Sequence, residues 1–224
     1  MVDSKATYLK PEDIQTLAPF QNLSSENIFI IQNQKQYQQI ENDLKSAPLL
    51  GFDTESKPTF IKGEVSTGPH LIQLSTEKNA YLFQVNSETL ALLKPIFSNQ
   101  NQIKVGFGLK NDAHLFRKKD IEMNTIVDLS KSFSSFGIKH QMGVRNAMAL
   151  LFKLNFPKSK KISTSNWSKK NLTTEQINYA AADAYAPVLI FKELLKRGLL
   201  PKNISDLYLK ISNQSNHRKA QSDT

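Results

Sequence analysis

Acidic side chains recur at positions from which they could bind the same metal ions. Asp53 and Glu55 end the apolar run "LLGF", and because residues i and i+2 of a strand point to one face, they project together. Asp112 follows the apolar run "IKVGF", and Asp183 lies inside a long helix, one turn after Tyr179 and on the same face. Carboxylate oxygens suit hard cations such as Mg²⁺ or Mn²⁺, and two such ions about 4 Å apart can drive phosphodiester hydrolysis.

Each of these features also has a structural interpretation. An Asp-x-Glu pair at a strand end, a tyrosine one turn before an aspartate, and an aspartate at a helix N-terminus are all common without a metal. Asp183 argues most strongly for a site, because it lies in "YAAADAYAPVLIF", where a charge among small packed residues is costly unless something compensates it. Order and context together, rather than any single acid, favour a metal centre.

The composition restricts the class of protein. Of 224 residues, 39% are hydrophobic and 22% charged, which is typical of a folded globular domain. The formal charge of +9 favours a polyanionic partner such as nucleic acid, although simple solubility explains it equally well. The lack of cysteine excludes a disulfide framework, a zinc ribbon and thiol catalysis. With no apolar run of signal-peptide or membrane-span length in the sequence, we expect a cytoplasmic protein.

The elements that must position the acids alternate between strands and helices. Short apolar runs separated by helical periodicity predict an α/β fold with a mixed central sheet flanked by helices. Two of these runs, "HLIQLST" and "AYLFQV", predict an antiparallel hairpin. An amphipathic helix is expected at 140–154. The long helix near the end starts with a capping box, Thr173 to Gln176, and should stop at Gly198.

The chain is expected to form one folded domain with two appendages. We predict an N-terminal arm over 1–25, the domain over 26–210, and a polar, disordered tail over 211–224. A segment rich in Pro, Gly and Lys, 56–69, follows Glu55 and predicts a long surface loop of the kind that is often functional.

Three segments taken together resemble the exonuclease motifs of the DEDD superfamily of 3′-to-5′ exonucleases. They are "GFDTES", "VGFGLKNDAHLF" and "SNWSKKNLTTEQINYAAADAYAPVLIF", in the order of the family. Tyr179 indicates the tyrosine-containing branch, which includes ribonuclease D and the Werner-syndrome exonuclease domain, since the other branch carries a histidine where this chain has Asn178. The resemblance covers roughly residues 28–197 and implies a ribonuclease H-like fold.

The resemblance also implies a role for each acid. Asp53, Glu55 and Asp183 would hold the ion that activates water. Asp53 would bridge to a second ion, which Asp112 would support through water, and Tyr179 would orient the attacking water. The implied cofactors are two divalent ions, Mg²⁺ or Mn²⁺, and the implied partner is a single-stranded or frayed nucleic acid 3′ end.

Four further residues are candidates for contact with the nucleic acid. By the resemblance, Thr54 would offer its backbone to the 3′ terminus. Lys57 and Phe60 lie in the loop after the Asp-x-Glu strand and could contact the terminal nucleotide, with Phe60 either stacking on a base or anchoring the loop. His114 stands two residues after Asp112, where Werner-type enzymes carry an aromatic side chain near the substrate end.

The expected function is a metal-dependent 3′-to-5′ exonuclease that releases nucleoside 5′-monophosphates. The Werner resemblance favours DNA as the substrate, the ribonuclease D resemblance favours RNA, and short oligonucleotides are a further possibility. A non-catalytic nucleic-acid-binding module on the same fold is an alternative, as is a basic scaffold for protein partners. The presence of all four acids weighs against both.

Overall fold

The computed structural model describes residues 9–59, 63, 67–117 and 119–222, with the side chains of 111, 113, 114 and 216–222 outside the description. The strands in this part of the chain are β1 Ala18–Pro19, β2 Ile28–Ile31, β3 Leu49–Glu55, β4 Leu71–Ser75, β5 Ala80–Gln84, β6 Ile103–Gly106, β7 Ile126–Asp128 and β8 Leu154–Asn155. The α-helices are α1 Pro11–Gln15, α2 Gln34–Ser46, α3 Ser87–Phe97, α4 Lys110–Arg117, α5 Val144–Phe152, α6 Lys160–Ser163, α7 Thr174–Lys196 and α8 Lys202–Ser222. Over the described residues, no helix combines the length and apolarity that crossing a membrane requires.

A mixed sheet carries the fold. Its strand order is β2-β5-β4-β3-β6-β7. The β4–β5 hairpin expected from the sequence is antiparallel, as is the β3–β4 pair, whereas β2 with β5, β3 with β6, and β6 with β7 are parallel. The expected α/β architecture with a mixed central sheet flanked by helices is therefore confirmed.

Strand β3 sends alternate side chains into two different hydrophobic cores. Leu49 belongs to the core that also contains residues of α5, α7 and α8, whereas Phe52 belongs to the core built with α2, α3 and α4. Because the side-chain period of a strand is two, Asp53 and Glu55 continue the face of Leu49, toward α7, and Thr54 continues the face of Phe52. The lack of clean alternation in "LLGF" thus reflects burial on both faces.

Helix α7 lies very close to β3 because a glycine faces it. A Cβ at Gly51 would lie 1.8 Å from the carbonyl oxygen of Ala184 and 2.8 Å from Cγ2 of Val188, so no side chain fits there. The helix begins as predicted, since the side chains of Thr173 and Gln176 accept hydrogen bonds from each other's backbone N–H. Gly51 therefore fixes how closely the helix that carries Asp183 approaches the strand that carries Asp53.

Two further glycines, Gly106 and Gly108, set the start of α4. A Cβ at Gly106 would lie 2.4 Å from the carbonyl oxygen of Phe52 and 2.7 Å from the side chain of Leu109. Strand β6 therefore packs closely against β3, and Leu109, the residue before α4, packs against β6. Gly108 has a φ of +70°, which glycine adopts without strain, and its N–H donates to Oδ1 of Asp128 at 3.0 Å. These contacts place the first turn of α4 beside the end of β3.

The N-terminal segment is tied to the domain rather than extended from it. Strand β1 pairs in parallel with β8, joining Ala18 to Leu154, and the side chains of Ile14 and Phe20 are buried. It therefore covers one face of the core. The boundaries of the arm, the domain and the tail remain predictions.

Two segments differ from their sequence expectations. Helix α5 begins at Val144 rather than at residue 140, because the backbone N–H of Met142 donates to the carbonyl oxygen of Ser130 at 2.8 Å and holds 140–143 outside the helix. Helix α8 extends through Ser222, where we expected a disordered tail from residue 211. Ile211 is itself buried in the core, which anchors the helix despite the polar sequence that follows.

Candidate active site

Three carboxylates meet at the carboxyl end of β3. Asp53 and Glu55 come from that strand and Asp183 from α7, and each offers a carboxylate oxygen within 4.8 Å of those of the other two. All three side chains are partly buried. Asp183 immediately precedes Ala184, whose carbonyl contacts Gly51, so the close packing of α7 on β3 brings the third acid to the first two.

Burial raises the pKa of each of these carboxyls, and the charges of neighbouring acids add to the effect at Asp53 and Glu55. Burial is the larger cause of the raised pKa of Asp53, and the charges of Asp183 and Glu55 add to it. Burial, followed by the charge of Asp183, raises the pKa of Glu55 to about 8. Burial raises the pKa of Asp183 to about 7 against the opposing effects of Tyr179 and Lys158. A cluster that resists ionisation in this way is one in which a divalent cation would supply the missing compensation.

Asp112 lies near these three carboxylates and is hydrogen-bonded by Thr54, whose side chain is on the other face of β3. The hydroxyl of Thr54 donates to Oδ1 of Asp112 at 2.5 Å. The charge of Asp112 contributes to the raised pKa of both Asp53 and Glu55, which shows that it is close to them. Thr54 therefore orients the fourth acid through its side chain, a contact that the sequence did not predict. The expected backbone contact of Thr54 with a 3′ terminus remains a prediction.

Tyr179 lies one helical turn before Asp183 and hydrogen-bonds to its carboxylate. Burial and the neighbouring carboxylates raise the pKa of the phenol, so it stays protonated and can donate. On its other side, the ring of Tyr179 lies 6.1 Å from that of Trp167, a buried residue whose Nε1–H donates to the carbonyl oxygen of Ser163 at 3.2 Å. The site thus has a fixed hydrogen-bond donor next to its acids.

The loop after β3 starts from a fixed point. The backbone N–H of Lys57 donates to Nδ1 of His70 at 3.1 Å, and the N–H of His70 donates to the carbonyl oxygen of Glu55 at 2.8 Å. The backbone of Lys57, at the start of the loop, therefore lies close to Glu55. Phe60 lies outside the described residues. His114 lies in α4, two positions after Asp112, and its side chain is outside the description.

Gln73 is a buried residue of the site that the sequence analysis missed. It pairs with Asp53 across β3 and β4, so both side chains lie on the face that α7 covers. Its side chain is fully buried, and neither amide atom has a hydrogen-bond partner among the residues that the structure describes. The signal was available, since a glutamine inside the apolar run "LIQL" is unexpected in a buried strand.

Comparison with known proteins connects this geometry to a family. The family model described as a 3′-5′ exonuclease matches residues 28–198. The exonuclease mut-7 homolog of Aedes aegypti is 28% identical over 200 residues, which cover 78% of this chain and 27% of that protein. The bifunctional 3′-5′ exonuclease/ATP-dependent helicase WRN of Mus musculus is 31% identical over 165 residues, which cover 67% of this chain and 11% of that protein. The chain thus spans between about a tenth and about a quarter of these two relatives.

Solved structures of low sequence identity share the fold. The Nibbler EXO domain of Aedes aegypti has a TM-score of 0.70 at 22% identity and covers 86% of this chain and 100% of its own. RNase D of Trypanosoma brucei has a TM-score of 0.70 at 14% identity and covers 86% of this chain and 73% of its own. These likenesses confirm the expected ribonuclease H-like fold. Because the family match spans about three-quarters of the sequence and includes all four acids and the tyrosine, the chain belongs to the 3′-5′ exonuclease family.

Proposed function

We propose that this chain hydrolyses phosphodiester bonds at the 3′ end of nucleic acid strands and releases nucleoside 5′-monophosphates. The observation that carries the proposal is the convergence of Asp53, Glu55 and Asp183, whose carboxylate oxygens lie within 4.8 Å of one another. The family match over residues 28–198 supports assigning this convergence to exonuclease chemistry rather than to a structural cluster.

The donor set fits hard divalent cations. Carboxylate oxygens on rigid elements are suited to Mg²⁺ or Mn²⁺, and because burial raises the pKa of these acids, a bound cation would favour their charged forms. In our proposal Asp53, Glu55 and Asp183 would hold one ion, and Asp53 and Asp112 would hold the second. When bound, the ions would supply an activated water and neutralise the charge of the phosphate.

The protein's own groups would orient the reactants. Tyr179, protonated and hydrogen-bonded at Asp183, is placed to donate to or accept from the attacking water. Thr54 holds the carboxylate of Asp112 by a 2.5 Å hydrogen bond, which fixes its direction before substrate arrives. Lys158, close enough to lower the pKa of Asp183, would attract the phosphate. Lys57, Phe60 and His114 remain proposed contacts of the strand end.

Single-stranded or frayed 3′ ends are the proposed partner, with DNA as the favoured substrate. The resemblance of the last motif to the Werner type supports DNA. RNA is the second candidate, because one structural neighbour is a Trypanosoma brucei RNase D in complex with RNA and another is an Escherichia coli exoribonuclease involved in structured RNA processing. The lack of cysteine suits a reducing compartment, and we propose the cytoplasm as the location.

One experiment tests the activity and its site together. DNA and RNA strands labelled at the 5′ end are incubated with the protein and Mg²⁺ or Mn²⁺, and the products are resolved on a denaturing gel. The wild type should give a ladder that shortens from the 3′ end, whereas Asp53→Asn and Asp183→Asn should give none. Asp206→Asn, at an exposed acid of α8, is the matched control and should behave as wild type. Equal binding without degradation by all four proteins would instead indicate a non-catalytic binding module.

A further inference from the structure

A cavity of about 530 Å³ opens beside Tyr179, between α7 and the N-terminal segment. Its walls come from residues 20–25, residues 157–162 and the first turns of α7. Since Tyr179 lines the cavity and also hydrogen-bonds to Asp183, the cavity and the carboxylates are neighbours. Its volume lies within the range of about 300–1,000 Å³ that is typical of small-molecule sites.

One wall of this cavity lies outside the family match, which begins at residue 28. This wall is attached to the rest of the domain at Phe20 and at Asn22. The N–H of Phe20 donates to the carbonyl oxygen of Asn155 at 3.0 Å, and the ring of Phe20 packs 5.1 Å from that of Phe156. Further on, Nδ2 of Asn22 donates to the carbonyl oxygen of Asn178 at 2.8 Å, directly before Tyr179. Residues 20–25 are therefore docked against α7 as a built part of the site.

The lining chemistry favours an uncharged, flat ligand over a phosphate. Leu23, Pro157 and Ile162 provide apolar surface, and none of the described residues that line the cavity is basic. Glu175 is the one charged residue among the described residues that line the cavity. Asn22, Ser25 and Ser159 add short polar side chains to the same lining. Nucleobases and sugars offer both apolar faces and N–H or O–H donors.

We propose that this cavity receives a nucleoside at or next to the 3′ end of the bound strand. The inference rests on the proposed function, because it takes the ligand at the neighbouring carboxylates to be a nucleic acid. Residues 20–25, which precede the family match, would then take part in binding the nucleoside. The apolar walls hold the base, and the phosphate lies on the side of Lys158 and the carboxylates.

Filling the cavity from its exposed edge tests the proposal. Ser25 is exposed and lines the cavity, so Ser25→Phe places a ring at the opening without disturbing the core. Gln21→Phe is the matched control, because Gln21 is exposed in the same segment and does not line the cavity. Binding of a 5′-labelled hexanucleotide, as DNA and as RNA, is measured by fluorescence anisotropy with Ca²⁺ in place of Mg²⁺. We expect Ser25→Phe to weaken the tighter-binding strand about tenfold, as loss of a base contact does, and Gln21→Phe to leave it within about twofold.

A modified strand shows whether the effect belongs to a nucleoside. Hexanucleotides with an abasic residue at the last or at the second-last position should bind the wild type about tenfold more weakly at one of these positions. For that strand, Ser25→Phe should cause little further loss, since both changes remove the same contact. Additive losses at both positions would overturn the proposal, and so would equal binding by Ser25→Phe and wild type, or equal weakening by Gln21→Phe.

The outcomes separate this inference from the proposed function. A wild type that binds the strand in the expected pattern but never degrades it in Mg²⁺ or Mn²⁺ would refute the exonuclease activity and leave the nucleoside cavity supported. A wild type that degrades strands from the 3′ end while Ser25→Phe binds normally would refute the cavity alone. Thermal unfolding of each variant within about 2 °C of wild type shows that binding losses are not folding losses.

Discussion

Replacing Gly51 by alanine should disable the site although it removes none of the acids. A Cβ at this position lies 1.8 Å from the carbonyl oxygen of Ala184, whereas real Cβ atoms essentially never come nearer than 3.0 Å to such an atom. Helix α7 must therefore move away by at least about 1.2 Å at this point. Ala184 follows Asp183 in the chain, so the same movement separates the Asp183 carboxylate from Asp53 and Glu55.

The size of the effect follows from this displacement. A misplacement of about 1 Å at a catalytic constellation can cost about 100-fold in rate, so we expect kcat/KM to fall by about this factor. Overpacking of this kind costs about 1–3 kcal/mol, and a backbone oxygen cannot rotate out of the way as a side chain can. Since small domains have about 5–15 kcal/mol of stability, the variant should remain folded, and the loss of activity should exceed the loss of structure.

Gly143→Ala is the matched control for this substitution. Gly143 precedes α5 with a φ of −86°, and a Cβ there meets no atom within 4 Å. Degradation of a 5′-labelled strand, Mn²⁺ binding by calorimetry and denaturant unfolding should be measured for both variants. If Gly51→Ala keeps the wild-type rate and Mn²⁺ affinity, the approach of α7 does not set the position of Asp183 relative to Asp53 and Glu55. If Gly143→Ala loses as much rate and affinity as Gly51→Ala, the effect is not specific to the site.

Three further predictions concern protonation and orientation. In EDTA, the free energy of unfolding should fall as the pH rises from about 5 to 8, because in the folded protein Glu55, with a pKa of about 8, and Asp183, with a pKa of about 7, hold protons that the unfolded chain has lost. Thermal unfolding at about pH 6 and pH 8.5 measures this change in stability, and Mg²⁺ should restore more stability at the higher pH. A stability that rises with pH in EDTA would contradict the raised pKa values of these buried carboxyls. Thr54→Val should lower activity about tenfold by releasing Asp112, whereas Thr54→Ser keeps the hydroxyl and should lower it much less; equal rates for the two in a strand-degradation assay would exclude the orienting role. Tyr179→Phe should lower kcat about 100-fold while Mn²⁺ affinity by calorimetry stays within about twofold, and a parallel loss of both would show that the hydroxyl serves the metal site rather than the water.

The local part of the site was predictable from the sequence because it depends on short-range geometry. The strand period alone places Asp53 and Glu55 on one face, and the helical period places Tyr179 one turn from Asp183. The capping box at Thr173 also formed as predicted, since its partners are three residues apart. Properties that depend on one element can be derived from the residues of that element.

The missed features all depend on how distant elements approach. The role of Gly51 depends on a helix that begins more than 120 residues later. The hydrogen bond from Thr54 to Asp112 depends on α4, which follows β6, lying beside the end of β3. Strand β1 has only two residues and pairs with an equally short strand, so it is too short to show a strand periodicity in the sequence. Ile211 shows the same limit in the tail, where one buried side chain outweighs a polar composition.

Diffraction from crystals of this protein grown with Mn²⁺, measured at a wavelength where manganese scatters anomalously, tests the central claim most directly. We expect one anomalous peak in contact with carboxylate oxygens of Asp53, Glu55 and Asp183. We expect a second peak in contact with Asp53 and with a water that is hydrogen-bonded to Asp112. The peak between the three acids should disappear in Asp183→Asn while the fold is unchanged. Crystals that bind Mn²⁺ only elsewhere, with these three carboxylates in contact with no ion, would contradict the account.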